Sequence, residues 1–147
     1  MTMQSNKINI GCLMMLINID HILLMRKSKD SNYEPGGYVL PSGKKEFNES
    51  VAFAAIREAH EEIGVEIDLS HVELVHTMSR KTTNGEEWID CFFVAKVWHG
   101  IPKIKEPNNF DDYSWYSIDN LPKETAGFIK SAITSYKKGL SYSEFGY

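Results

Sequence analysis

Apolar runs joined by hairpin turns, a strongly periodic helix between two such hairpins, and the lack of strict strand–helix alternation predict an α/β fold. The expected architecture is a mixed sheet with helices packed on it. INIGCLMMLI (residues 8–17) is rich in Ile, Leu and Met and long enough for a buried strand. Asn18 to Asp20 supply turn chemistry, and HILLMRK (21–27) is the expected hairpin partner. SKDSNYEPGGY (28–38) reads as a loop punctuated by Pro35, Gly36 and Gly37. The middle of residues 40–67 is helical: Ala52, Ala55, Ile56, Ala59 and Ile63 recur at i, i+3, i+4, i+7 and i+11 and make one apolar face. Asn48 or Ser50 is placed to cap its start, and Gly64 sits where a left-handed C-terminal residue is expected. The alanines make this helix thin, so it can approach a sheet closely. VELVHTMS (72–79) and EWIDCFFVAKVW (87–98) have strand composition, with a turn at Asn84 and Gly85. A short strand at SWYSI (114–118) follows a polar, proline-bearing loop, and residues 124–138 form a second helix. The remainder, GLSYSEFGY, is a tail that docks on the domain or supports a dimer.

Size and charge narrow the function. A chain of 147 residues has the length of one domain, here taken as 1–147, and can bury a core without disulfides or structural metal. Hydrophobic residues make up 42% and charged residues 24%, as in soluble globular proteins. A net charge of −4 argues against a nucleic-acid polymer as partner. Two cysteines, Cys12 and Cys91, lie in apolar runs and form no CxxC pair. The polar start MTMQSNK shows no signal peptide, and Asn9, Gly11, Asn18, Asp20 and His21 interrupt the apolar stretch 8–25 too often for a membrane span. The expectation is a cytoplasmic protein with no membrane partner, a monomer or a homodimer.

The chemistry concentrates on the helix. Glu61 and Glu62 follow Glu58 at i+3 and i+4, so the three carboxylates are surface neighbours. Two unit charges about 5 Å apart repel by roughly 3 kcal/mol at an effective dielectric near 20. Glu61 and Glu62 also occupy the last turn before Gly64, the end of the helix dipole that disfavours anions. A divalent cation removes both penalties, and hard oxygen ligands favour Mg²⁺, Mn²⁺ or Ca²⁺ over zinc. A solvated acidic face is the competing interpretation.

The surrounding spacing decides between them. From Gly43, five residues lead to Glu49, seven more to Arg57-Glu58, and Ala59, His60, Glu61-Glu62, Ile63, Gly64 and Val65 complete the segment. This resembles the Nudix box, G-x5-E-x7-R-E-U-x-E-E-x-G-U with U a bulky aliphatic; Ala59 is smaller than usual at the first U. The resemblance implies a Nudix fold, an α/β/α sandwich in which the box is a loop-helix-loop, and hydrolysis of a nucleoside diphosphate linked to another group. It further implies that Glu58 and Glu62 are core ligands of Mg²⁺, for which Mn²⁺ substitutes, with Glu61 a further ligand or a water-mediated contact and the carbonyl of Ser42 another ligand. Glu49 and Arg57 are expected to brace the loop. Glu58, then Glu61, is the expected acceptor of the attacking water's proton, and Glu106 is a candidate from outside the box.

The substrate marks are softer. The neighbourhood SRKTT (79–83) has neither the proline of an ADP-ribose signature nor the tyrosine of a dinucleoside-polyphosphate one. No coenzyme A signature is evident, and the segment from Trp98 through EPNNFDDYSWYSIDNLP resembles small members that cleave nucleoside triphosphates. The expected reaction is triphosphate to monophosphate plus pyrophosphate. The alternatives are an ADP-ribose or nucleotide-sugar pyrophosphatase, or a nucleotide-binding sensor that does not hydrolyse, against which all three box carboxylates count. Isoprenyl diphosphate isomerisation, also known on this fold, needs a catalytic cysteine, and neither Cys12 nor Cys91 has the context. Arg26, Lys27, Lys44, Arg80 and Lys81 are candidate phosphate cations, and Tyr33, Tyr38 and Trp88 candidate base-stacking residues. Trp98 and Trp115 are assigned to core or sheet edge. His60 gets no catalytic role, and His21, His71, His76 and His99 have no ligand spacing.

Overall fold

The computed structural model describes residues 6–147, so the first five residues of the polar N-terminal start lie outside the described residues. The elements in chain order are β1 (Ile8–Asn18), β2 (His21–Lys27), β3 (Tyr38–Val39), β4 (Ser42–Lys44), α1 (Val51–Ile63), β5 (Val72–Lys81), β6 (Glu87–Ala95), β7 (Phe110–Ser117), α2 (Gly127–Lys137) and β8 (Tyr142–Phe145). A 3₁₀ turn at Leu69–His71 precedes β5. The strands run β3-β2-β1-β6-β5-β8 across a mixed sheet, with β4 also on β1 and β7 on β2. β1 and β6 pair in parallel over Ile8↔Glu87 to Leu16↔Ala95, and β5 returns antiparallel to β6.

The helices lie on opposite faces. Cys12 of β1 pairs in register with Gly43, which lies against Glu58 of α1, and this puts α1 on the Cys12 side of the sheet. Gly11 projects the other way and pairs in register with Asp90, whose partner Arg80 lies 4.0 Å from the Phe128 ring of α2. With both faces covered, β1 and β2 need no polar alternation. Cys12 to Ile17 and Ile22 to Met25 are accordingly buried without a break. Ala54, Ala55 and Ala59 are fully buried against the sheet, as expected of a thin helix.

Several local expectations change. The buried stripe of α1 is Ala54, Ala55, Ala59, Glu62 and Ile63, while Ala52 and Ile56 are only half-buried. The helix is rolled because β4 and the segment 101–106 wrap its flank: the backbone N–H groups of Lys103 and Lys105 donate to Ile63 O (2.9 Å) and Glu62 O (3.0 Å). These bonds also satisfy carbonyls at the helix end. The β5–β6 connection is the loop 82–86 rather than a two-residue turn; Thr82 N donates to Glu86 O at 2.9 Å. β6 stops at Ala95, and β7 begins at Phe110 within the expected loop, its pairing with β2 extending through exposed Asp111 and Asp112. α2 starts at Gly127, because Tyr38 and Thr125 form a bridge that keeps the preceding residues extended. Trp98 and Trp115 stack on each other at 5.7 Å. The tail is β8, paired in parallel with β5. Among the described residues, no helix is long and apolar enough to cross a membrane.

Candidate active site

Local sequence sets the helix that carries the carboxylates. Ser50, in extended conformation, accepts a hydrogen bond from Phe53 N at 3.2 Å and caps α1. Asn48, the other candidate cap, instead takes a left-handed conformation (φ 64°) in the approaching loop. Gly64 is left-handed (φ 78°), with its N–H bonded to Ala59 O and His60 O.

Arg57 is the hub of the segment. Its Nε and Nη2 donate to the two oxygens of Glu49 at 3.0 and 2.7 Å, a bidentate clamp. Nη1 donates to Glu58 Oε1 at 2.8 Å and to Glu61 Oε2 at 3.3 Å, and Nη2 reaches Lys44 O at 3.3 Å. Glu49 also accepts from Glu46 N at 2.7 Å, so one carboxylate ties the loop to the helix. The Arg57 hydrogen bonds, then that of Glu46 N, lower the Glu49 carboxyl to about 2. A group with a depressed folded pKa contributes stability above its unfolded value, lost as pH falls through the folded one. We therefore expect Glu49→Gln to lower the melting temperature at neutral pH and to narrow its gap from wild type between about pH 4.5 and 2, measured by pH-dependent calorimetry.

Glu58 and Glu62 both meet β4, Glu58 against Gly43 and Glu62 against Ser42. A Cβ on Gly43 would overlap the Glu58 carboxylate as it is placed here, so a larger residue would displace that side chain. Glu62, expected from the sequence as one of three surface carboxylates, is only 7% exposed. Its Oε1 accepts from Ser42 N at 2.7 Å. Burial, opposed by that hydrogen bond and aided by the charges of Glu58 and Glu106, raises the Glu62 carboxyl to about 9. Burial also raises Glu58 against the pull of Arg57, with Glu61 and Glu106 adding to the rise. Glu106, from the segment before β7, adds its negative charge at Glu58 and Glu62, while its own side chain accepts from Asn109 Nδ2 at 3.3 Å. Glu61 stays nearly half exposed, turned to Arg57.

A hard divalent cation suits this donor set: carboxylates only, one of them buried where its anion is disfavoured without a counter-charge. The side chains are not gathered into a ready cage. Among the described residues, no group of three or more His, Cys, Asp or Glu is placed to hold a metal ion, because Arg57 holds Glu58 and Glu61 while Ser42 holds Glu62.

Beside these residues opens a cleft of about 770 Å³, lined by Ser42, Gly43, Lys44 and Glu62 together with Lys27, Tyr33, Arg80, Trp88, Phe110, Phe128 and Phe145. Arg80, a candidate phosphate cation by sequence, is buried: its Nε and Nη2 donate to Asp90 Oδ2 (2.5 Å) and Oδ1 (3.1 Å). Arg26 is likewise paired, donating to Asp111 at 2.6 Å. Lys27, Lys44 and Lys81 line the cleft, and the Lys44 ammonium lies 5.3 Å over the Trp88 ring. Tyr38 packs edge-on against Tyr116 instead. Sequence reasoning missed Asp90; its signal was an acid inside an otherwise apolar strand. Cys12 is buried with its thiol pushed up to about 12, and burial raises Cys91 too, so neither is a ready nucleophile. His60 is exposed, and His76 is buried, bonded to Leu140 O and Ser143 Oγ of the tail.

The NUDIX domain family matches residues 6–136. Among solved structures, a MutT NUDIX hydrolase from Burkholderia pseudomallei is 26% identical, with a TM-score of 0.80 over 87% of this chain and 97% of that one. A MutT protein from Methanosarcina mazei Go1 shares the fold at 18% identity and a TM-score of 0.78, over 92% and 97% of the two chains. A bifunctional NMN adenylyltransferase/ADP ribose pyrophosphatase from Francisella tularensis, solved with AMP and a Mn ion, is 20% identical with a TM-score of 0.69; the match covers 92% of this chain and 43% of that one.

Proposed function

From the premise that the chain belongs to the Nudix family and is a hydrolase acting on phosphoric anhydride bonds, we propose that it cleaves a nucleoside triphosphate to the monophosphate and pyrophosphate with Mg²⁺ or Mn²⁺. The observation that carries this reading is one cleft lined both by Glu62 and by aromatic side chains, among them Trp88, Phe110 and Phe128. A ligand with a charged chain and a flat head matches such a site. The whole chain, 1–147, is taken as one domain working as a unit.

Glu58 and Glu62 are the residues that would hold the cation, with Glu61 and the Ser42 carbonyl as further ligands. When bound, the cation neutralises the phosphate oxygens and makes a coordinated water easier to deprotonate. The chain's own residues do the rest. Arg57, clamped by Glu49, sets the position of Glu58 and keeps Glu61 in reach. Glu58 accepts a proton from the attacking water, its basicity raised by burial. Glu61 is the second choice for that role and Glu106 the third. Lys27 and Lys44 supply positive charge at the cleft wall.

A second reading is ADP-ribose or nucleotide-sugar cleavage, favoured by the fold likeness to the Francisella tularensis protein. A panel of nucleoside triphosphates, ADP-ribose, nucleotide sugars and dinucleoside polyphosphates, scored by kcat/KM, separates the two. A triphosphate should lead, and a clear lead for ADP-ribose or a sugar nucleotide overturns the substrate choice.

A further inference from the structure

We propose that the C-terminal strand β8 completes a base-binding platform in which Phe145 takes the face of a nucleobase. The proposal builds on the nucleotide reading above.

β8 covers Tyr142–Phe145, beyond the family match that ends at residue 136, and Phe145 lines the cleft. Its placement is well tied. Thr77 N donates to Ser141 O at 2.9 Å, Tyr142 OH to Ser79 Oγ at 3.1 Å, and buried His76 bonds Leu140 O and Ser143 Oγ at 2.8 and 2.7 Å. The resulting register pairs Phe145 with Arg80, and Arg80 with Trp88 on the far side. In-register residues on neighbouring strands project from the same face. One row across three strands therefore carries an aromatic ring, a guanidinium and an indole into the cleft.

The neighbours suit that row. Gly127 lies against Phe145, where a Cβ would come 3.2 Å from its ring, so the start of α2 makes room for the ring. Phe128 stands 6.5 Å away, tilted by 59°, leaving an angled apolar wall. Arg80 is fixed between Phe128 (4.0 Å) and Trp88 (5.0 Å) and clamped by Asp90, so its planar cation is already oriented. Phe145 keeps 36% of its surface open. A rigid, partly open aromatic face held in place by its neighbours favours a flat π system such as a nucleobase.

The test is calorimetric titration of the full chain with the four nucleoside monophosphates and with ribose 5-phosphate, which lacks the base. At least one nucleotide should bind about tenfold tighter than ribose 5-phosphate, as expected for one stacked base. Phe145→Ala should abolish this preference while ribose 5-phosphate binds as before, and Phe145→Tyr should retain it. Equal binding of all five ligands by wild type overturns the proposal. So does a preference kept by Phe145→Ala, or an equal loss of ribose 5-phosphate binding, which would mark a structural role. If the preference behaves as expected but no triphosphate is hydrolysed, the platform stands and only the substrate reading fails.

Discussion

Glu62→Gln is expected to lower kcat by on the order of 10³-fold while raising the stability of the metal-free protein. The amide keeps the side-chain shape, and its oxygen can still accept from Ser42 N, but the anion that would hold the cation is gone. Loss of that much transition-state charge stabilisation, several kcal/mol, sets the rate effect. The stability effect has a defined sign. In metal-free protein the folded carboxyl is raised to about 9 from 4.5, so folding at neutral pH must take up a proton. Wild-type stability from this group is fully present below about pH 4.5 and is lost as pH rises toward 9, a cost of up to about 3 kcal/mol at pH 7. Glutamine escapes it. In chelator, melting of Glu62→Gln should therefore exceed wild type at pH 8, with the gap closing toward pH 4.5. Near-normal turnover would remove Glu62 from the site.

Asp90→Ala is expected to cost about 3–5 kcal/mol, because it leaves the Arg80 guanidinium buried without its anion. For a chain of this size that corresponds to a fall in melting temperature of roughly 10 °C. Burial raises the Asp90 carboxyl and Arg80 draws it back, so the two charges depend on each other. The double variant Arg80→Met/Asp90→Ala, with neither charge, should be more stable than Asp90→Ala alone. Additive losses in thermal melts of Asp90→Ala, Arg80→Met and the double variant would show that the pair is not coupled. Gly11 belongs to the same arrangement, since a Cβ there would overlap Asp90.

The parts of this site that sequence makes legible are local. The box is read from covalent spacing, and the cap at Ser50 and the stop at Gly64 follow from residue type, so α1 and its carboxylates were found together. The mixed sheet and the β1–β2 hairpin follow from apolar runs and turn residues in the same way. What sequence does not carry is what covers those elements. Glu62 is buried by Ser42 and the segment 101–106, which are remote from it along the chain, so helix periodicity alone placed it on a flank. Arg80 looked like a surface cation because its partner lies across the β5–β6 hairpin. β8 is short, and the contacts that hold it are contributed by His76, Thr77 and Ser79 on β5.

In the proposed function these carboxylates act through a divalent cation on a triphosphate chain. The direct measurement strips the protein with chelator, adds the preferred nucleoside triphosphate, and quantifies nucleotide and phosphate products before and after Mg²⁺ is restored. The account predicts no turnover in chelator and, after Mg²⁺, monophosphate and pyrophosphate in equal amounts. Full activity in confirmed absence of metal, or diphosphate and inorganic phosphate as the products, would contradict it.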